Sequence, residues 1–446
     1  YTGDNLTITP AMLTLIAVSD TKDYDGTTSS AAVVTYVGLV GGDSVSGLSQ
    51  SFASAKVLGP NGSTLNVNDG YVVNDGSGGT NYTVTLNSAS GTINPSASFG
   101  FTWDTATAVN LNWEEGANWN QGVAPINGTS VTIPSGLSGS VVYSEASEIT
   151  NLSSLGSASG LSVTGGMLNV SGSASISGGY TQSGGAFDVT NTLSLSGPSI
   201  LIQGTTSAGA LSVNTPGSLT VSANDAAASL TSATNTTLQI GGNLLVEGGS
   251  GEGASATLAN GPGTLSALVS GSVIITGGSG VGAYALIQGN PDVGSLANPA
   301  SIGGALTITT GTGSGAFARL ESTSAETVYL FFPNLAPSDY GFAVDGVLGR
   351  IANGQSGIFA GGLPATLGVG GAGSIPGAPA PDANLVTFYG IAPNLQPVLE
   401  DIHATQSEIF YRTDQLANLS NFSDWVGTRG NNGDDEFEGR SAPACR

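Results

Sequence analysis

Side chains able to do acid–base chemistry are sparse in this 446-residue sequence, and nearly all of them are acidic. Glycoside hydrolysis needs two carboxyl groups a few ångströms apart. Glu145, Glu148, Asp188, Asp225, Glu247 and Glu252 are the candidates, but their spacing shows no constellation. A polysaccharide lyase needs a base beside the proton it abstracts. Between Lys56 and Arg319 the sequence has no basic residue at all. The single histidine, His403, has no serine or cysteine motif built around it, so it reads as a surface or packing residue. No catalytic residue is assigned, and the expectation is a chain that is not an enzyme.

One histidine and one cysteine exclude a nitrogen- and sulfur-ligated metal centre. Oxygen ligands leave Ca²⁺ open at Asp69 and Asp75, in Asn68-Asp69-Gly70 and Asn74-Asp75-Gly76, and at Asp434 and Asp435 near the C-terminus. The competing reading is that Asn-Asp-Gly segments make turns. No other cofactor is expected. Cys445 is the penultimate residue and closes no internal disulfide, which leaves an anchoring or intermolecular thiol or an incidental tail residue. Nine Asn-x-Ser/Thr sequons, among them Asn5, Asn81, Asn151 and Asn235, carry no information in a chain so rich in these residues.

The formal net charge of −23 reflects missing base more than abundant acid, since there are only two lysines, Lys22 and Lys56, and six arginines. Such a surface repels phosphate backbones, so nucleic acid is excluded as a partner. With 39% hydrophobic and 9% charged residues the chain has the composition of a folded protein. No apolar run reaches the 18 or so residues of a membrane-spanning helix. Tyr1-Thr2-Gly3-Asp4-Asn5 opens without an initiator Met or signal peptide, and the expectation is a processed piece of a longer secreted precursor.

Positioning comes from a motif that occurs three times, beginning at Gly242, Gly271 and Gly304. Each copy places apolar residues at its third, fifth and last positions: Leu244, Val246 and Leu258, then Val273, Ile275 and Ile287, then Leu306, Ile308 and Leu320. Two period-2 strands therefore flank a bend with glycines at alternate positions, followed by paired small alanines. Copies 29 and 33 residues apart fit coils of a solenoid. The rival, a flexible linker, has no reason to keep apolar residues in register. Leu244, Val273 and Leu306 are expected on stacked rungs, facing one core.

Residues 12–97 carry a different pattern of short β-rich runs between Gly, Asn and Asp. The combination of Lys22-Asp-Tyr-Asp-Gly-Thr-Thr28, Gly41-Gly-Asp-Ser-Val-Ser-Gly47, Phe52-Ala-Ser-Ala-Lys-Val57, Asn81-Tyr-Thr-Val-Thr85 and Thr92-Ile-Asn-Pro95 resembles the YDG repeat, related to MBG domains, of large bacterial surface adhesins. Only the loop Leu58–Gly62 departs from it. Residues 1–11 look like the closing strand of a preceding repeat, with Ile8-Thr9-Pro10 matching Ile93-Asn94-Pro95. Leu6 and Ile8 would be its buried pair, and strand addition to a neighbouring subunit is the assembly it offers.

Residues 98–133 hold three of the four tryptophans and read as an aromatic cap, with a sugar-binding platform as the rival. Residues 134–345 read as a right-handed parallel β-helix, 346–395 as a Gly/Ala/Pro-rich cap and linker, and 396–446 as a short helix and acidic tail. The expected class is all-β. As a whole the chain resembles the C-terminal portion of filamentous-haemagglutinin-like, two-partner-secreted bacterial adhesins. That resemblance implies secretion to the cell surface and attachment, including in biofilms, to protein or glycan on a neighbouring surface. A self-assembling filament subunit is the alternative, and a polysaccharide-acting β-helix enzyme comes third.

Overall fold

The computed structural model describes residues 9–144, 149–293, 300–323, 327–334, 356–361, 363–364, 366–371 and 385–389. Leu6, Ile8, Glu145, Glu148, the helix expected after Pro397, His403, Asp434, Asp435 and Cys445 lie outside them. Among the described residues there is no α-helix, only strands and two short 3₁₀ turns. The chain divides into two compact units, one of Tyr1–Pro134 with Thr150–Ser153, the other of Ser135–Ile149 with Ser154–Arg446.

The first unit begins with nine strands: β1 (Ala11–Ile16), β2 (Thr21–Asp23), β3 (Thr35–Val37), β4 (Ser44–Ser46), β5 (Gln50–Phe52), β6 (Ser63–Val67), β7 (Val72–Asn74), β8 (Tyr82–Asn87) and β9 (Ala89–Asn94). They form small sheets ordered β3-β1-β8, β2-β9-β6-β5 and β4-β7. Alternation supplies the core: Leu13 and Leu15 of β1, Leu65 and Val67 of β6 and Ile93 of β9 are buried together with Phe52 and Val34. Ala11, grouped by its sequence with a preceding repeat, is instead the first residue of β1.

The second unit is a parallel β-solenoid with three strand-bearing faces. Its first face is an eight-stranded parallel sheet running from Val141–Tyr143 through Leu161–Val163, Tyr180–Gln182, Ile200–Ile202, Leu219–Ser222, Leu244–Glu247 and Val273–Thr276 to Leu306–Thr309. Strand starts advance by 20, 19, 20 and 19 residues, then by 25, 29 and 33. Early coils are thus minimal, and the glycine motif belongs to the long ones. The other two faces are carried alternately by strands such as Ala256–Asn260 and Leu265–Val269, while Ala186–Leu195 and Thr205–Thr215 each contribute to both.

The repeat phase is as the sequence predicts. Leu244 pairs with Val273, and Val273 with Leu306; their exposures are 2%, 5% and 4%. Ile275 lies between Val246 and Ile308 in the same stack and is fully buried. The alanines after the glycines, such as Ala254, Ala283 and Ala316, are also buried. Glycine is required in the bends for two reasons. A Cβ on Gly280 would overlap the carbonyl oxygen of Gly251, and one on Gly313 that of Gly280, so the bends stack backbone on backbone. Gly253, Gly282 and Gly315 close the bends with φ of +66°, +67° and +74°, conformations that side chains disfavour.

Polar side chains tie one coil to the next at the corner before the first face. Ser218 Oγ accepts from the Asn243 amide at 3.0 Å, Asn243 Oδ1 from Ser272 at 2.8 Å, and Ser272 Oγ from Ala305 at 3.0 Å. A buried trio inside the unit is satisfied in the same way: Tyr180 donates to Thr206, Thr206 to Gln182 Oε1, and Gln182 Nε2 to the carbonyls of Gly185 and Thr205. Its burial pushes the Tyr180 phenol well above its ordinary range.

The parallel pairing does not stop at residue 345. Gly357–Ala360 pairs with Phe317–Ser322 and Thr366–Gly371 with Thr327–Phe332, so strands continue into the region whose composition reads as cap and linker. Leu363–Pro364 and Leu385–Tyr389 then pair antiparallel to these two. Arg319, the first basic residue after Lys56, lies with its guanidinium 4.7 Å from the Phe317 ring centre and 4.4 Å from that of Phe359.

Candidate functional site

Carboxylates in the solenoid are dispersed. Asp188 lies beside Asn169 and Ser207 on one face and accepts a 2.6 Å hydrogen bond from Ser207 Oγ. Glu247 is on the first face beside Ser222 and Thr276. Asp225 sits in a bend and accepts from Ser250 Oγ at 2.9 Å, and Glu252 occupies a glycine bend. Glu247 and Glu252 thus belong to one coil, Asp225 and Glu252 to stacked bends of adjoining coils, and Asp188 to a different, earlier coil.

Both lysines are structural. The amine of Lys22 contacts Asp25 Oδ1 at 2.7 Å and donates to the carbonyls of Thr27 and Ser29. This fixes the turn of Tyr24-Asp25-Gly26, in which Asp25 also accepts from the Thr27 amide and Gly26 takes φ of +77°. Tyr24 packs edge-on against Phe99 at 5.0 Å and donates to the carbonyl of Asn120. The signature thus joins strands 9–94 to the tryptophan segment within one unit.

Lys56 makes the second joint. Its amine reaches Asp104 Oδ2 and the carbonyl of Trp119, both at 2.9 Å. Gln121 continues the seam, accepting from the Ser96 amide and donating to the carbonyls of Ser96 and Gly100. A cleft of about 590 Å³ opens at this seam, lined by Lys56, Leu58, Glu114, Glu115 and Val123 among others. Hydrogen bonding from Thr107 first, and from Lys56 second, holds the Asp104 carboxyl down at about 2.

A group depressed on folding stabilises above its unfolded value, 3.8 here, and that contribution is lost as pH falls through about 2. Asp104→Asn is therefore expected to cost the first unit about 1–2 kcal/mol at neutral pH and to reduce its acid sensitivity. Denaturant titrations read by tryptophan fluorescence at neutral and acid pH check this. Equal losses at both would show that the ion pair contributes nothing.

Trp103, Trp113 and Trp119 are 2%, 0% and 0% exposed. Trp119 meets Trp103 at 5.0 Å and Trp113 at 4.9 Å, edge to face, and its indole N–H donates to the Trp113 carbonyl. With no face open to solvent, these rings are a core and not a sugar-binding platform.

Asp75 accepts from the amides of Ser77, Gly79 and Asn81, an arrangement that organises the turn into β8 and lowers its pKa, chiefly through Gly79. Asp69 is exposed in the turn after β6. Among the described residues no three His, Cys, Asp or Glu side chains come together as a metal-binding group.

A small β module with a clamped Tyr-Asp-Gly turn and a parallel β-solenoid define the class of the protein. The YDG domain model matches residues 9–91, the module and its signature turn. No curated protein and no solved structure matches the chain.

Proposed function

We propose that this chain is a non-catalytic adhesive stalk, secreted to a bacterial cell surface, that attaches to protein or glycan on a neighbouring surface, including within biofilms. The observation that carries this reading is the solenoid wall. On one face the outward positions of five successive coils are Ser175, Ser194, Ser212, Thr237 and Ser266, neighbours across adjoining strands. Rows of small hydroxyl groups on a stacked backbone suit many weak contacts with another hydroxylated surface, and no single residue dominates. Multivalent display makes such contacts effective. The lysines, which a lyase would need, are committed to the Tyr-Asp-Gly turn and the tryptophan seam. The resemblance to filamentous-haemagglutinin-like adhesins supports secretion and surface display.

Beads coated with the full chain should adhere to cells or to biofilm polysaccharide well above albumin-coated beads. Equal retention of the two on every surface tested would sink the adhesive reading. A self-assembling filament is the second reading, favoured by one open strand edge in the first unit.

A further inference from the structure

Among the described residues the first unit exposes several strand edges, of which one is long and unprotected. The edge strand β2 carries Lys22 and Asp23, charges that discourage pairing. β3, β4 and β7 are three residues long, and β5 is bridged by Ser29. By contrast β8, Tyr82-Thr-Val-Thr-Leu-Asn87, has six residues with no charge and no proline, and it pairs with β1 alone.

Which backbone groups remain open follows from the ladder. The amides of Ala11 and Ala17 donate to the carbonyls of Asn81 and Asn87, so the odd-numbered residues of β8 face β1. Val84 and Leu86 therefore direct their N–H and C=O groups to the open edge. Their side chains share the face of Leu13 and Leu15, their register partners, and Leu86 is 42% exposed. Thr83, Thr85 and Asn87 occupy the opposite face.

We propose that this edge accepts residues Asn5–Thr9 of a second copy of the chain, which deepens the filament reading given above. The alternation matches: Leu6 and Ile8 would continue the apolar row of Val84 and Leu86, and Asn5, Thr7 and Thr9 the polar row. The same chain cannot supply this strand. Both edges of β1 are occupied, by β3 and β8, and β1 starts only two residues after Thr9. A strand on the far side of β8 would lie about 9.6 Å from β1, two strand spacings away. Two residues span at most about 7 Å.

The test uses the full chain with Cys445→Ser, so that the native thiol takes no part. Sedimentation velocity across a concentration series should show self-association, reduced at least tenfold by Leu86→Pro and equally by Leu6→Lys/Ile8→Lys. Leu86→Pro removes an outward N–H while sparing the ladder to β1, and an unchanged circular dichroism spectrum separates lost association from misfolding. The donor double variant changes residues that precede the matched domain, residues 9–91, and keeps the proposal testable if Leu86→Pro fails to fold. Introduced cysteines at Thr7 and Thr85 should give interchain disulfides. Wild-type chain that stays monomeric, or donor variants that associate like wild type, would overturn the proposal. Loss with Leu86→Pro alone would mean that the edge pairs with something other than residues 5–9. Association that persists in the donor variants would leave the filament reading standing while this edge fails, so the two fail separately.

Discussion

Replacing Ile275 with aspartate is expected to destabilise the solenoid unit by about 4 kcal/mol, the scale of an unpaired charge forced into a packed interior. Ile275 is fully buried between Val246 and Ile308, and its outward neighbours in the strand give the carboxylate no route to water without breaking the register. Its coil sits within the stack, so the strands on either side lose their partner as well. Limited proteolysis should then cut within residues 242–320, while tryptophan fluorescence, dominated by Trp103, Trp113 and Trp119, stays close to that of the parent. Ile275→Val, which removes one methylene, should cost only about 1 kcal/mol. Equal stability of the aspartate variant and the parent would contradict the stacked register.

Trp119→Ala is expected to have a comparable effect on the first unit, about 3–5 kcal/mol, as large-to-small changes at buried tryptophans do. The ring is fully buried, meets Trp103, Trp113 and Phe101 edge to face, and holds the Trp113 carbonyl through its N–H. Its removal leaves a cavity and unties the Trp113 segment. Urea titration followed by near-ultraviolet circular dichroism should show an early loss of the aromatic signal, with the far-ultraviolet strand signal of the solenoid retained. An unchanged midpoint would show that the cluster is not the core of this unit.

How much was legible follows from the range of each interaction. The glycine bends could be read because their apolar phase is local: Leu244, Val246 and Leu258 recur in Val273, Ile275 and Ile287. The shorter coils carry no comparable motif. Leu161–Val163, Tyr180–Gln182, Ile200–Ile202 and Leu219–Ser222 start 19 or 20 residues apart, but Tyr180-Thr-Gln182 ends in a polar residue and breaks the apolar-x-apolar pattern of the others. Composition misplaced the end of the strand region, because the glycines of Thr366–Gly371 read as a spacer although they pair with Thr327–Phe332.

Side-chain roles that depend on distant partners were not legible. Nothing near Lys56 in the sequence indicates Asp104, 48 residues on, or the carbonyl of Trp119. Asp75 sits in an Asn-Asp-Gly segment, and nothing in that signature indicates that its carboxylate accepts from the amides of Ser77, Gly79 and Asn81. Tryptophans written as Asn-Trp pairs look alike as a platform and as a core until their burial is known. The open edge of β8 depends on which strands flank β1, a matter of topology alone.

Turnover is the property that bears most directly on the proposed non-catalytic role. The full chain, incubated with a panel of acidic and neutral polysaccharides, should release no reducing ends and no unsaturated products above the rate of a heat-treated sample. Product formed at an enzymatic rate and abolished by a single Asp or Glu substitution among residues 140–330, Asp188→Asn for instance, would contradict it.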